Sequence, residues 1–208
     1  MWHHAAHASA VAAELACDEP QLVFAWDGVG LGEDGTLWGG EALLGRAGDW
    51  QRVCSLRTFR LPGGDKAGRE PWRSAAAMHW ACDKQWAACP DSGGLAYTAW
   101  QKDLNCAETS AAGRVFDAAA ALVLGKTHVS FEAEGPMHLE ALCQESAAPV
   151  AMPLDKDASG TWRADWRLAG SGEAITQADV LARVRGLAWV DTLDVHVGAG
   201  DDGGPIVR

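Results

Sequence analysis

Two histidines, His3 and His7, stand four residues apart in the alanine-rich run HHAAHASAVAAELA, residues 3–16. On a helix that spacing puts both imidazoles on one face, within reach of one ion. Neutral imidazole is a good ligand for zinc or ferrous iron. Two nitrogens do not fill a coordination sphere, so carboxylates must come from other segments. Asp27 is one candidate, because it closes the apolar run QLVFAWD and opens a glycine-rich stretch. His4 is adjacent to His3 but faces elsewhere on a helix. The plainer alternative is a pair of surface histidines near a chain end.

The glycine-rich stretch AWDGVGLGEDGTLWGGE, residues 25–41, spells G-x-G-x-x-G at Gly30, Gly32 and Gly35. A dinucleotide loop must lie between a strand and a helix, so that the pyrophosphate meets the helix N-terminus. Thr36-Leu37-Trp38-Gly39-Gly40 follows here, which is no helix start. The LGKT of residues 124–127 fails as a P-loop, since Ala120 stands where its first glycine belongs. A calcium loop fails as well, because Val29 and Leu31 offer no oxygen at alternate positions. What survives is an Asp at a strand end followed by a hairpin of glycines. Such a hairpin lets backbone N–H groups approach an anion; an ordinary turn reads the same way. The GDDGG segment near residue 200 offers another such carboxylate, Asp202, or a polar tail. Ser171 lacks the G-x-S-x-G elbow of a hydrolase, and no Ser-His-Asp arrangement is readable.

These side chains need elements to hold them. The Ala/Leu content of residues 3–16 predicts a helix. Residues 21–27 read as a buried strand, 35–45 as the returning strand and 49–61 as a third. The Pro and glycines of residues 61–65 mark a turn. Residues 69–89 read as a helix with Pro71 in its first turn and Trp72, Ala76 and Trp80 at helical spacing. Helices are also predicted over 109–125, with Gly125 as C-cap, and over 135–145. Beyond 146 the texture changes to a loop, an ambiguous Trp- and Gly-rich run, a helix over 176–186 and a strand over 189–198. The order predicts a mixed α/β domain with hairpin-connected strands.

The chain has 208 residues, 48% of them hydrophobic and 22% charged, which is a globular composition. Its formal net charge of -11 repels nucleic acid and anionic membranes. No apolar run is long enough to span a membrane, and residues 1–10 do not read as a signal peptide. Six scattered cysteines without C-x-x-C read as reduced thiols of a cytoplasmic protein.

Taken together, HHAAH, AWDGVGLGEDGTLWGGE, LPGGDKAGREPWR and TSAAGRVFDAAAALVLG, followed by HVSFE and MHLEAL, resemble the C-terminal, Kae1-like domain of the HypF carbamoyltransferase family. The resemblance covers residues 2–145. It implies an ASKHA fold, the actin/hexokinase-like architecture of two lobes around a nucleotide cleft. It implies transfer of a carbamoyl group from carbamoyl-adenylate, made from ATP, to the C-terminal cysteine of a HypE-type partner in NiFe hydrogenase maturation. It also implies a divalent metal, zinc or iron, on His3, His7, Asp27 and Asp202, which would orient the adenylate phosphate. Gly28, Gly30, Gly39 and Gly40 would line the phosphate side. Gly113, Asp117 and Glu140 match positions near the nucleotide, with Arg114 beside Gly113 at the helix start.

The sequence also departs from that family. Ala133 replaces a glycine and His138 a glutamate, and no S-G-G-V-F-Q-N phosphate loop is present. The expectation is therefore a Kae1-type lobe over 1–146 and a truncated second lobe over 147–208. The alternatives are a non-catalytic remnant that binds nucleotide or partner, an O-carbamoyltransferase, or a threonyl-carbamoyl tRNA enzyme. The acidic charge disfavours the last.

Overall fold

In the computed structural model, residues 2–91, 93–143 and 152–167 are described. The chain opens with helix α1 (His3–Glu14) and three antiparallel strands, β1 (Gln21–Leu31), β2 (Leu37–Arg46) and β3 (Asp49–Leu56). Strand β4 (Phe59–Pro62) and a 3-10 turn (Gly64–Gly68) lead into α2 (Trp72–Trp80) and α3 (Leu95–Gln101). Strand β5 (Cys106–Thr109), helices α4 (Ala112–Leu124) and α5 (Glu134–Glu140) and the pair β6 (Leu154–Lys156) and β7 (Trp162–Ala164) follow.

The seven strands among the described residues form one sheet. β1 and β3 flank β2, β5 joins β2 in parallel at Leu37↔Thr109, and β4 closes antiparallel on β5. β7 extends the sheet in parallel from β3, and β6 pairs with β7. Helix α1 packs on β1 and β2, and α4 packs on β1, β2, α2 and α5. The main core gathers Leu56, Phe59, Leu61, Trp72, Trp80, Val115 and Trp166. Ala75, Ala118 and Ala121 form a small-residue contact between α2 and α4, where short side chains let two helices come close.

Most expected elements are present, with four corrections. The run 49–61 is two strands, because β3 pairs with β7 through Leu56↔Ala164 while Phe59 pairs with Thr109 of β5. The helix expected over 69–89 ends at Trp80, and Asp83 follows with φ +55, a left-handed break. The helix expected over 135–145 stops at Glu140. The short elements α3, β5, β6 and β7 have no counterpart among the expected elements. The helix over 109–125 is α4, starting at Ala112, and Gly125 caps it at φ +66. The expected division at 146 does not coincide with a break in the sheet, since β7 pairs with β3 and Trp166 enters the main core. The predicted helix 176–186 and strand 189–198 lie outside the described residues.

Candidate functional site

The antiparallel register of β1 and β2 is interrupted in the glycine-rich stretch. Trp26 pairs with Gly40, yet Gly30 pairs with Trp38. Asp27, Gly28 and Val29 therefore face the single residue Gly39. This is a bulge, which bends a strand and re-aims its side chains. The hairpin turn itself comes later. There Gly32 N–H donates to Thr36 O, and Asp34 accepts from Thr36 and from the Trp38 indole. Asp27 thus belongs to the bulge and not to the turn.

The bulge carries Asp27 to α1. Asp27 Oδ2 lies 2.6 Å from His3 Nε2, and His3 Nε2 lies 3.2 Å from His7 Nε2. One donor atom from each of His3, His7 and Asp27 falls within 4.8 Å of the others. Ligands about 2.0–2.1 Å from a tetrahedral zinc stand about 3.3 Å apart, close to the 3.2 Å His3–His7 separation, whereas the 2.6 Å between His3 and Asp27 is a hydrogen-bond distance that must widen to admit an ion. The proton inventory points the same way. A neutral imidazole nitrogen cannot donate to Asp27 and accept from His7 at once, so a cation suits these three atoms better than a hydrogen-bond chain. The donor set fits a divalent metal. Asp202 lies outside the described residues.

His4 does not face elsewhere, as the helical spacing suggested. Its side chain is fully buried, its Nε2 is 3.7 Å from Asp27 Oδ2, and neither ring nitrogen has a hydrogen-bond partner. Burial lowers its pKa, against the pull of Asp27 and Glu41. Gly30 makes room for the rings: a Cβ there would stand 2.6 Å from His3 Cδ2 and 2.8 Å from His4 Cε1.

The other glycines serve close packing. Gly113, at the start of α4, touches the bulge so tightly that a Cβ would lie 2.6 Å from Gly28 Cα. Gly39 has φ +155, and a Cβ there would meet Asp27 O at 2.7 Å. A Cβ on Gly40 would collide with Ser110 O. The amides of Gly39 and Gly40 both donate to Glu41 Oε1, and Gly28 N–H donates to Asp27 Oδ1. Three of the four glycine amides expected along a phosphate are already bonded to carboxylates.

One turn into α4, Arg114 and Asp117 form a buried pair, Nη1 to Oδ2 at 2.9 Å. Burial pushes the Asp117 carboxyl up to about 6, although Arg114 pulls it down. Arg114 also lies 3.8 Å from the exposed Glu132. A Cβ added at Gly28 would meet Glu132 Oε1 at 2.9 Å and Arg114 Nη2 at 3.7 Å; one added at Gly68 would meet Arg114 Nη1 at 3.5 Å. Thus AWDGVG, DKAGRE, AAGRVFDA and SFEAEG, far apart in sequence, meet around one guanidinium. The structure brings together His3, His7, Asp27, Gly28, Gly30, Gly39, Gly113 and Asp117. Glu140 is exposed at the far end of α5. Glu132 and the inward His4 were missed: an exposed acid in a loop carries no periodic signal, and helical spacing alone does not say which side of α1 is covered.

These features define a Kae1-like domain, and known proteins agree. A family model described as "Carbamoyltransferase, Kae1-like Domain, second subdomain" matches residues 23–182. A carbamoyltransferase HypF homolog of Cupriavidus necator is 40% identical over 159 residues, covering 73% of this chain and 40% of that protein. HypF2 of the same organism is 43% identical over 148 residues, covering 68% and 18%. A crystal structure of full-length HypF in the phosphate- and nucleotide-bound form superposes with a TM-score of 0.73 at 30% identity, covering 79% of this chain and 27% of that one. The chain belongs to the HypF carbamoyltransferase family and has its Kae1-like fold. It spans 40% or less of the length of these relatives.

Six cysteines are free. Among the described residues no helix is long and apolar enough to cross a membrane.

Proposed function

We propose that the chain is a carbamoyl-transfer domain that binds a divalent metal and an adenine nucleotide, and passes carbamoyl from carbamoyl-adenylate to the terminal cysteine of a HypE-type partner in NiFe hydrogenase maturation. The observation that carries this reading is the convergence of His3, His7 and Asp27 at a bulge that Gly113 locks against the start of α4. That contact joins the metal centre to Asp117, whose carboxylate can accept from ribose hydroxyls. His3, His7 and Asp27 would hold the metal, which supplies a Lewis acid for phosphate oxygens and developing charge. The protein's own part is to place the reactants: the bulge sets Asp27, α1 sets the imidazoles, and Arg114 fixes Asp117 from inside.

Metal analysis and ATP titration of the purified protein, beside a His3→Ala/His7→Ala variant, test the reading. Wild type should carry close to one divalent ion per chain and bind ATP; the variant should lose the ion. Equal, negligible metal in both, with no ATP binding, would overturn it. Retained ATP binding without carbamoyl transfer to a HypE-type cysteine would favour the non-catalytic, nucleotide-binding alternative.

A further inference from the structure

We propose that His4 is a positioning residue of the metal centre, holding an Nε2–H for the Asp27 carboxylate. The inference rests on the metal-binding reading above. Four observations meet at this ring. His4 is fully buried without a hydrogen bond at either nitrogen, a costly state that native proteins rarely leave unexplained. Its Nε2 points at Asp27 Oδ2 from 3.7 Å, just beyond hydrogen-bond range. Asp27's other oxygen is committed to Gly28 N–H. Gly30 lacks the Cβ that would push the ring aside.

In the described arrangement His3 Nε2 occupies Asp27 Oδ2 at 2.6 Å. An imidazole nitrogen that ligates a cation presents a lone pair and can no longer donate a hydrogen. With His3 engaged that way, Asp27 loses its partner, and His4 Nε2 is the next donor along. Carboxylates that ligate metals are themselves held by hydrogen bonds, which fix their direction. His4 does not join the group of mutually close donor atoms formed by His3, His7 and Asp27, so it acts through Asp27 and not as a ligand.

Zn²⁺ titration by calorimetry and Co²⁺ absorption spectra on the whole chain test this, using wild type, His4→Leu, His4→Ala, His4→Gln and His3→Ala. The donor-free variants His4→Leu and His4→Ala should weaken Zn²⁺ binding about 10–100-fold, with unchanged stoichiometry and unchanged Co²⁺ band shape. His4→Gln, whose amide N–H can reach the Nε2 position, should recover most of the affinity. His3→Ala should lose the ion. Wild-type affinity in both donor-free variants would overturn the role of His4 while leaving the metal centre intact. So would a His4→Gln variant, natively folded by circular dichroism, that binds as poorly as His4→Leu. A changed Co²⁺ spectrum in His4→Leu would make His4 a ligand and also overturn the proposal. A wild type that takes up no Zn²⁺ would overturn the metal reading and this inference with it.

Discussion

Asp27 and Glu41 are two carboxylates on one hairpin, each beside glycine, and the fold treats them in opposite ways. Glu41 is fully buried and saturated. It accepts from the amides of Gly39 and Gly40, from Arg52 Nε at 2.6 Å and from the Ser110 hydroxyl. Arg52 continues to Asp34 and lies over the Trp38 ring. Asp27 is a third exposed, and its Oδ2 meets imidazoles whose protons it must share. A carboxylate whose acceptors are all filled by fixed donors ties elements together. One left among groups that compete for the same proton is available to a cation.

Stability measurements test that contrast. The largest effect is expected for Glu41→Ala. It leaves the buried amides of Gly39 and Gly40 without their acceptor and takes from Arg52 its buried partner, leaving only the more exposed Asp34; removing one partner of a buried pair costs about 3–5 kcal/mol. Urea denaturation should show this, and a loss under 1 kcal/mol would refute the tying role of Glu41.

Asp117 comes next, because it is buried like Glu41 but sits in the candidate site. Its carboxyl takes a proton near pH 6 when folded, against an ordinary value of 3.8. The folded value is raised, so ionisation costs stability above that window, and the cost disappears as pH falls through it. Comparing wild type with Asp117→Asn, the balance should move toward wild type by about 2 kcal/mol between about pH 7.5 and about pH 4.5. A pH-independent difference would mean that Asp117 titrates normally.

Gly113→Ala should cost about 1–3 kcal/mol, as overpacking does, since the new Cβ meets Gly28 Cα at 2.6 Å. It should also weaken metal binding by shifting the bulge. Unchanged metal affinity with lowered stability would separate α4 from the metal centre.

The smallest effect on stability is expected for Asp27→Ala, about 1 kcal/mol or less, because the bond lost to His3 is exposed and the Gly28 amide is only partly buried. The same substitution should remove most bound metal, while Asp34→Ala should not. If Asp34→Ala lowers metal occupancy as much, the ligand carboxylate has been misassigned.

Much of this site is legible in the chain, and the reasons differ by residue. His3 and His7 are readable because helical periodicity is local: four residues bring two rings to one face whatever surrounds them. Gly125 is readable as a cap for the same reason. The bulge is not readable, since its two extra residues exist only relative to β2, and the same letters fit a plain hairpin. The roles of Gly39 and Gly40 were also hidden. Their amides look free in sequence, but Glu41 folds back onto them once Arg52 and Ser110 arrive from β3 and the loop before α4. The break in 49–61 follows from a change of partner strand, which alternation within one segment does not register.

The family, the helix that presents two imidazoles, the hairpin that follows and the carboxylate between them are all written in the order of residues. These depend on short-range periodicity and on residue types. Which carboxylate is saturated, the closure of Gly113 on Gly28 and the inward turn of His4 toward Asp27 emerge only in the assembled fold. Those outcomes depend on which surfaces are covered by other elements, and burial is a property of the assembled chain.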